Sequence, residues 1–452
     1  MNKKTYNPKQ FIIVIALLLL HTGIVAQSYF SLILPQGQRL SSARSLSMGM
    51  SGVATSAGID NLWMNPAMLS TRGQLLTATI NGSLRRFEEK RSYPVMDMFD
   101  DVVTENVYAA NRFWYPNMEG GLVAALPMDI HVGLAQSTFW DFNYDYAEEI
   151  RGSLPSGTYN RDPVRGYHEI QRSGKIMATN LGFSASLIQF IKLGASVQML
   201  SGKDIQDRYA INVLEPDDAL ASDTTFNFDS IVELDGNPMM FTLGAAVQPT
   251  HGLTVGFSYQ SGVEIVLRNL WSIPTINERT QLPGYWNPAG WDTTGYTITT
   301  LPEKFVVGIE AKMKNPIATK AVLELHYTNW SEFKVEAYPP IETLLPIEAV
   351  PYTLQETWEI HGGIEHVFYN KIPFRFGFIF SESPLGQEFE TTRITLGSAY
   401  KWGNATFDFG IVFGSLSYRY EDLFIAVSEE IPHLDTVKES NAVATFTLKY
   451  AL

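Results

Sequence analysis

The sequence predicts an all-β protein, a fourteen-stranded antiparallel transmembrane β-barrel with an N-terminal plug in its lumen. Three observations carry this. Segments of about ten residues alternate apolar with polar or small side chains, the pattern of strands facing lipid on one side only. The connections between them alternate short and long, as at the two rims of an outer-membrane barrel. And the chain opens with a stretch that has neither helical nor strand period.

The first element is an address. Lys3, Lys4 and Lys9 precede an apolar run from Phe11 to Leu20, and "GIVAQ" follows. A basic start, a short apolar core and a small residue before the cut describe a secretory signal over 1–26, cleaved after Ala26. The run is half the length of about 20 residues that a membrane-spanning helix needs. No cysteine occurs anywhere, so lipid attachment through a lipobox, disulfides and thiolate metal sites are all excluded. The formal net charge of -14 argues against nucleic acid, which needs basic stripes.

Next comes the segment 27–73, read as the plug. Its run "SARSLSMGMSGVATSAG" is rich in small residues, which pack closely inside a lumen too wide for wall side chains alone to fill.

The barrel is read over 74–452, with long extracellular loops. Strands are expected near 74–86, 112–126, 131–143, 175–188, 192–201, 239–248, 253–266, 304–314, 321–328, 357–367, 373–381, 391–400, 404–413 and 441–452. In "KFVVGIEAKMK", Phe305, Val307, Ile309 and Met313 share a face. In "PFRFGFIFS", Phe374, Phe376, Phe378 and Phe380 do the same, and so do Phe446, Leu448, Tyr450 and Leu452 at the C-terminus. "PMDI", "QF", "PTHG", "NPIAT", "NKI" and "WGN" are the short turns. The segments 87–111, 144–174, 202–238, 267–303, 329–356 and 414–440 are the long loops. An even strand number places both chain ends on the short-turn side, and a closed barrel leaves no strand edge in lipid.

Here the chain resembles a known family. "SARSLSMGMSGVATSAGIDNLWMNPAMLS" looks like the N-terminal hatch of the FadL/TodX outer-membrane transporters, with Asn65, Pro66 and Ala67 matching its Asn-Pro-Ala. "LPEKFVVGIEAKMKNPIATKAVLELHYTNWSEFK" is similar to the family's Leu-Pro opening, hairpin and Trp-Ser-x-Phe loop entry. The resemblance implies passive, cofactor-free transport of long-chain fatty acids or aromatic hydrocarbons, through loop pockets, hatch and a lateral gap into the outer-membrane lipid. Proteins like PorV, which serve type IX secretion and hold a protein partner, share the hatch, so this motif leaves both roles open.

Candidate residues follow. Asn65-Pro66-Ala67 is a hatch element in which Pro66 fixes the backbone and the Asn65 amide bonds the barrel wall; Asn-Pro is also a common turn. Trp271, Tyr285, Trp286 and Trp291 could line an apolar ligand pocket or simply pack at the interface. Phe139, Trp140 and Phe142 end the third strand, which in the family carries the kink of the lateral opening; an aromatic girdle is the alternative. Arg151, Arg161, Arg165 and His168 could meet a carboxylate headgroup or be solvated loop charges. Enzyme motifs are missing. His361-Gly362-Gly363 resembles a lipase oxyanion loop but lies on an expected strand with no Gly-x-Ser-x-Gly partner. The eight histidines show no metal-ligand spacing.

Overall fold

The computed structural model describes residues 34, 41–71, 73–99, 101–151, 164–203, 205–213, 226–271, 295–313, 318–338, 354–421, 423 and 434–452. The signal read over 1–26 and the start of the plug lie outside them.

Fourteen strands close into an antiparallel barrel. They are β1 (Leu76–Met96), β2 (Val102–Leu126), β3 (Ile130–Asp141), β6 (Lys175–Ile188), β7 (Ile191–Ser201), β10 (Met239–Thr250), β11 (Leu253–Gln260), β14 (Lys304–Met313), β15 (Ala318–Thr328), β17 (Thr357–Val367), β18 (Pro373–Ser381), β19 (Thr391–Trp402), β20 (Ala405–Glu421) and β21 (Leu434–Ala451). Each expected strand corresponds to one of them. The alternation is what closes the barrel in lipid. Phe305, Val307, Ile309, Phe374, Phe376, Phe378 and Phe446 are all exposed on the outer face, while their neighbours Glu310, Arg375 and Thr447 are buried in the lumen. β1 pairs with β21 from Thr77↔Ala451 onward, so both ends of the barrel meet at the short-turn rim.

The long connections differ from expectation. Residues 87–111 are not a loop: β1 and β2 run on past the other strands as one hairpin, paired up to Met96↔Val102. Most of the others contribute strands to a second, seven-stranded antiparallel sheet. It comprises β4 (Tyr144–Arg151), β5 (Val164–Ser173), β8 (Ile205–Val213), β9 (Phe226–Leu234), β12 (Val263–Trp271), β13 (Gly295–Leu301) and β16 (Lys334–Tyr338). Its order is β16-β13-β12-β9-β8-β5-β4. The expected strand 253–266 is split by Ser261 and Gly262, where the chain leaves the barrel for this sheet. A side chain at Gly262 would come within 2.6 Å of the Leu301 carbonyl, so only glycine lets the two crossings pass this closely. Apolar residues of both sheets meet at the mouth, among them Trp140, Phe142, Ile176, Leu200, Ile205 and Ile265.

Inside the barrel, residues 41–71 form two short helices, α1 (Ala43–Ser47) and α2 (Asn61–Met64), joined by turns. Nearly all are buried. The wall makes room for them with glycine. Gly194 faces Gly244, Gly256 faces Gly308, Gly363 faces Gly377 and Gly397 faces Gly410 across adjacent strands. A Cβ would lie 2.0 Å from Val53 O if added at Gly256, 2.4 Å from Gly49 N at Gly377 and 2.5 Å from Ala43 O at Gly410. Backbone therefore packs on backbone around the lumen.

Candidate functional site

Three features adjoin one another: the plug, a cavity resting on it, and an unzipped seam in the wall beside both.

The plug is bonded to the wall along its length. Ala43 N donates to Thr447 Oγ1 at 2.8 Å and Gly49 N to Thr395 Oγ1 at 3.1 Å. One carboxylate oxygen, Glu324 Oε1, accepts from Gly52 N at 2.9 Å and Val53 N at 2.7 Å. The Arg44 guanidinium meets Glu365, which also accepts from Arg375 at 2.7 Å, and Arg375 reaches Asp408 at 2.7 Å. Buried charges persist in such a lumen only when paired in this way.

Asn65 is fully buried in extended backbone, φ −156°, and its side chain caps the turn of Pro66–Met68 by accepting from Ala67 N at 3.0 Å. Its amide donates to Val53 O at 2.6 Å and to Ala245 O of β10 at 3.2 Å. The turn reading and the wall-anchor reading thus describe the same residue. The Asn65-Pro66-Ala67 backbone sits in the notch of the Gly194/Gly244 pair, where an added Cβ would lie 2.0 Å from Asn65 Oδ1 or 2.4 Å from Ala67 N.

On the plug lies a cavity of about 220 Å³. Met50, Val53, Trp63 and Met64 of the plug form its floor, and Phe139, Met240, Leu301 and Val306 give apolar wall. Lys304, Glu359 and Arg393 bring charge to it, and His326 and His361 bring imidazole rings. Met50 holds a left-handed backbone, φ 57°, a conformation that costs a side-chain-bearing residue about 1–2 kcal/mol. The strain sits where the plug touches the cavity.

The seam lies between β2 and β3. Their ladder runs from Leu126↔Ile130 only to Gly120↔Gln136. β3 nevertheless continues to Asp141, paired on its other side to Lys175 of β6, with a bulge at Phe139. Above Gln136 side chains replace the lost ladder. Glu119 Oε1 accepts from Thr138 N at 3.0 Å, and Asn117 Oδ1 accepts from Thr138 Oγ1 and Lys175 Nζ, each at 3.0 Å. The opening closes again where Asn111 exchanges two 3.1 Å bonds with the Ala147 backbone. From Asn111 to Gly120 the unladdered stretch runs about 30 Å along β2 at ~3.3 Å per residue.

Phe139, Trp140 and Phe142 are buried, 9%, 2% and 6% exposed, so they form no lipid-facing girdle. Trp140 stacks on Phe142 at 4.8 Å, and Phe139 lines the cavity from the bulge. Tyr285, Trp286 and Trp291 lie outside the described residues, as does the Trp271 side chain at the end of β12. His168 is engaged with Glu148 at 2.7 Å. His326 and His361, far apart in the sequence, are brought into one patch by the β15–β17 register, which no linear spacing displays.

The model of the family described as outer membrane protein transport protein (OMPP1/FadL/TodX) matches residues 37–405. The chain belongs to the FadL/TodX family. Members of this family are outer-membrane channels for hydrophobic compounds, not enzymes. Among curated proteins none matches. Solved structures agree on the fold at low identity. A Pseudomonas aeruginosa FadL homologue is 14% identical, with TM-score 0.62 over 95% of this chain and 100% of its own. The P. putida toluene transporter TodX is 12% identical, TM-score 0.57, over 91% and 98%. The Ralstonia pickettii toluene transporter TbuX is 16% identical, TM-score 0.55, over 93% and 100%.

Proposed function

We propose that this FadL/TodX-family channel carries a hydrophobic molecule with one acidic end, of the long-chain fatty acid class, from the outer side into the outer-membrane lipid. The observation that carries the reading is the shared boundary: the cavity's floor is the plug, and its wall includes Phe139 from the bulge beside the seam. A ligand there touches both the hatch and the lateral exit. The apolar floor suits a hydrocarbon chain, and Lys304 with Arg393 supplies the cationic end that a carboxylate needs. In this reading Trp271, Tyr285, Trp286 and Trp291 belong to an outer collecting surface. The segment that carries them joins β12 to β13, and β13 ends at Leu301 on the cavity. No cofactor or energy source enters the scheme.

The test is mass spectrometry on the protein extracted gently from outer membranes, with analysis of co-purifying lipids. A stoichiometric fatty acid, lost on replacing both Lys304 and Arg393 by methionine, is the expected result. A neutral hydrocarbon retained by that variant would move the substrate class away from acids. A co-purifying protein with no small ligand would replace transport by the PorV-like secretion role.

A further inference from the structure

The lumen face of β15 and β17 carries two histidines and two carboxylates in a square. Antiparallel register sets Glu324 opposite His361 and His326 opposite Glu359. The two-residue spacing on each strand turns all four to the same face, so imidazole and carboxylate alternate around the patch. All four are more than nine-tenths buried, at 1% to 8% exposure. The rings stack with centroids 4.0 Å apart. His361 Nε2 lies 3.2 Å from Glu359 Oε2, and His326 Nε2 lies 3.4 Å from Glu324 Oε2. The Nδ1 atom of each ring is buried without a hydrogen-bond partner. A buried polar atom left so is uncommon, and a bound ion is one of the standard reasons for it.

One donor atom each from His326, Glu359 and His361 lies within 4.8 Å of the others. Zinc takes imidazole nitrogen and carboxylate oxygen at about 2.0–2.2 Å, which sets neighbouring ligand atoms about 3.4 Å apart in a tetrahedron. Side-chain adjustments of about an ångström would close that difference. Imidazole with carboxylate selects the transition metals over calcium or magnesium, which prefer oxygen alone. We propose that His326, Glu359 and His361, with Glu324 beside them, form a binding site for a divalent transition metal of the zinc class, independent of which solute the channel carries. Entry is from the cavity, since the three residues line it, and water or an anion from there fills the remaining coordination position.

The site has a built-in competitor and a built-in link. Lys304 Nζ is 3.5 Å from Glu359 Oε2, and an arriving metal must displace it. Glu324 meanwhile holds the plug through Gly52 N and Val53 N, so the metal binds next to a hatch anchor.

The experiment uses the full, untagged barrel in detergent, stripped with chelator and titrated with Co²⁺, whose visible absorption reports its ligand field, with Zn²⁺ as competitor. One equivalent is expected to bind and to be displaced by Zn²⁺. Replacing His326 and His361 together by alanine should weaken binding by at least the ~10–100-fold that loss of outer-shell partners alone costs. K304M should tighten it several-fold. Heat-modifiable migration on gels reports that each variant keeps its barrel; where the double variant does not, Glu359→Gln is the replacement and should weaken binding likewise. Co²⁺ binding no stronger in the wild type than in the double-histidine and Glu359→Gln variants overturns the proposal. Fatty-acid retention by metal-free protein is read separately, so failure of one assignment does not imply failure of the other.

Discussion

The Gly194/Gly244 notch offers the sharpest test of how the hatch is held. Replacing Gly244 by alanine adds one methyl group whose carbon would lie 2.0 Å from Asn65 Oδ1, 2.9 Å from Pro66 Cδ and 3.0 Å from Ala67 N. Ordinary contact needs about 3.5 Å, so the Asn65 segment must withdraw by roughly 1.5 Å. Withdrawal breaks the 3.2 Å bond from Asn65 to Ala245 O, the amide's hold on the wall. Overpacking of this kind costs about 1–3 kcal/mol, and 2 kcal/mol corresponds to a roughly 30-fold rise in the population of a displaced hatch. The chain has no cysteine, so Ser51→Cys, fully buried in the plug, makes a single reporter thiol. Labelling by a water-soluble maleimide should then run on the order of 30-fold faster in G244A. Gly82→Ala is the reference, because a Cβ there meets nothing within 4 Å. Equal labelling rates in the two variants, with both barrels intact, would refute the idea that this notch holds the hatch.

Further expectations follow from the same geometry. Glu119→Ala deprives Thr138 N of its acceptor at the seam, a loss of about 1–3 kcal/mol for a buried donor; hydrogen exchange at Thr138 should accelerate while exchange at Leu134, inside the intact ladder, stays slow. Burial raises the Asp145 carboxyl of β4, outside the membrane-spanning strands, to about 6. A carboxyl raised above its unfolded value favours the protonated fold, so the sheet should gain stability as pH falls from above 6 toward 4. Asp145→Asn should remove that slope from thermal unfolding curves; an unchanged slope would place its origin elsewhere. On the proposed route, Lys304→Met should weaken binding of a long-chain carboxylate by tenfold or more while leaving the matching alkane unaffected, as read by fluorescence displacement.

What the sequence could disclose follows from which interactions are local. Lipid imposes a period of two on every strand it touches, so the rows Phe305–Val307–Ile309 and Phe374–Phe376–Phe378 located β14 and β18 directly. Above the bilayer that constraint lapses. β4 reads Tyr-Asp-Tyr-Ala-Glu-Glu-Ile-Arg and β5 Val-Arg-Gly-Tyr-His-Glu-Ile-Gln-Arg-Ser, strands with no lipid face, so their sequence reads as loop. The alternation of Tyr144 and Tyr146, both buried, was the available sign. The hatch was legible as a run of small residues before the first strand. Its fit was not, because Gly194 and Gly244 become a notch only when register sets them opposite each other. The same holds for His326 and His361, thirty-five positions apart in the chain and stacked in the lumen. Motif spacing reads one element at a time, whereas a barrel builds its sites across strands.

The arrangement bears on how a plugged channel of this family can open. Among the described residues the plug meets the wall through two small apolar clusters, Ile59, Leu62, Trp63 and Leu69 against Val123 and Ala135, and Leu46 with Met50 against Val412 and Val443. Beyond these its hold includes discrete polar contacts: Arg44 on Glu365, Glu324 on two backbone amides, Thr447 and Thr395 on one each, Asn65 on Ala245. Each such hydrogen bond is worth about 0.5–1.5 kcal/mol net, up to about 3 where a charge accepts. One of these contacts borders the cavity, since Val53, held by Glu324, lines it beside Met50 and Met64. On the proposed route a ligand therefore does not have to expel the plug. On that route the movement expected to join the cavity to the seam at Phe139 is a shift of the Val53–Asn65 corner, where the Asn65 amide donates to Val53 O at 2.6 Å. A variant that strengthens this corner, such as one that fixes Val53 more firmly to the wall, should slow uptake while leaving ligand affinity in the cavity unchanged, a separation that rapid-mixing binding and vesicle uptake measure side by side.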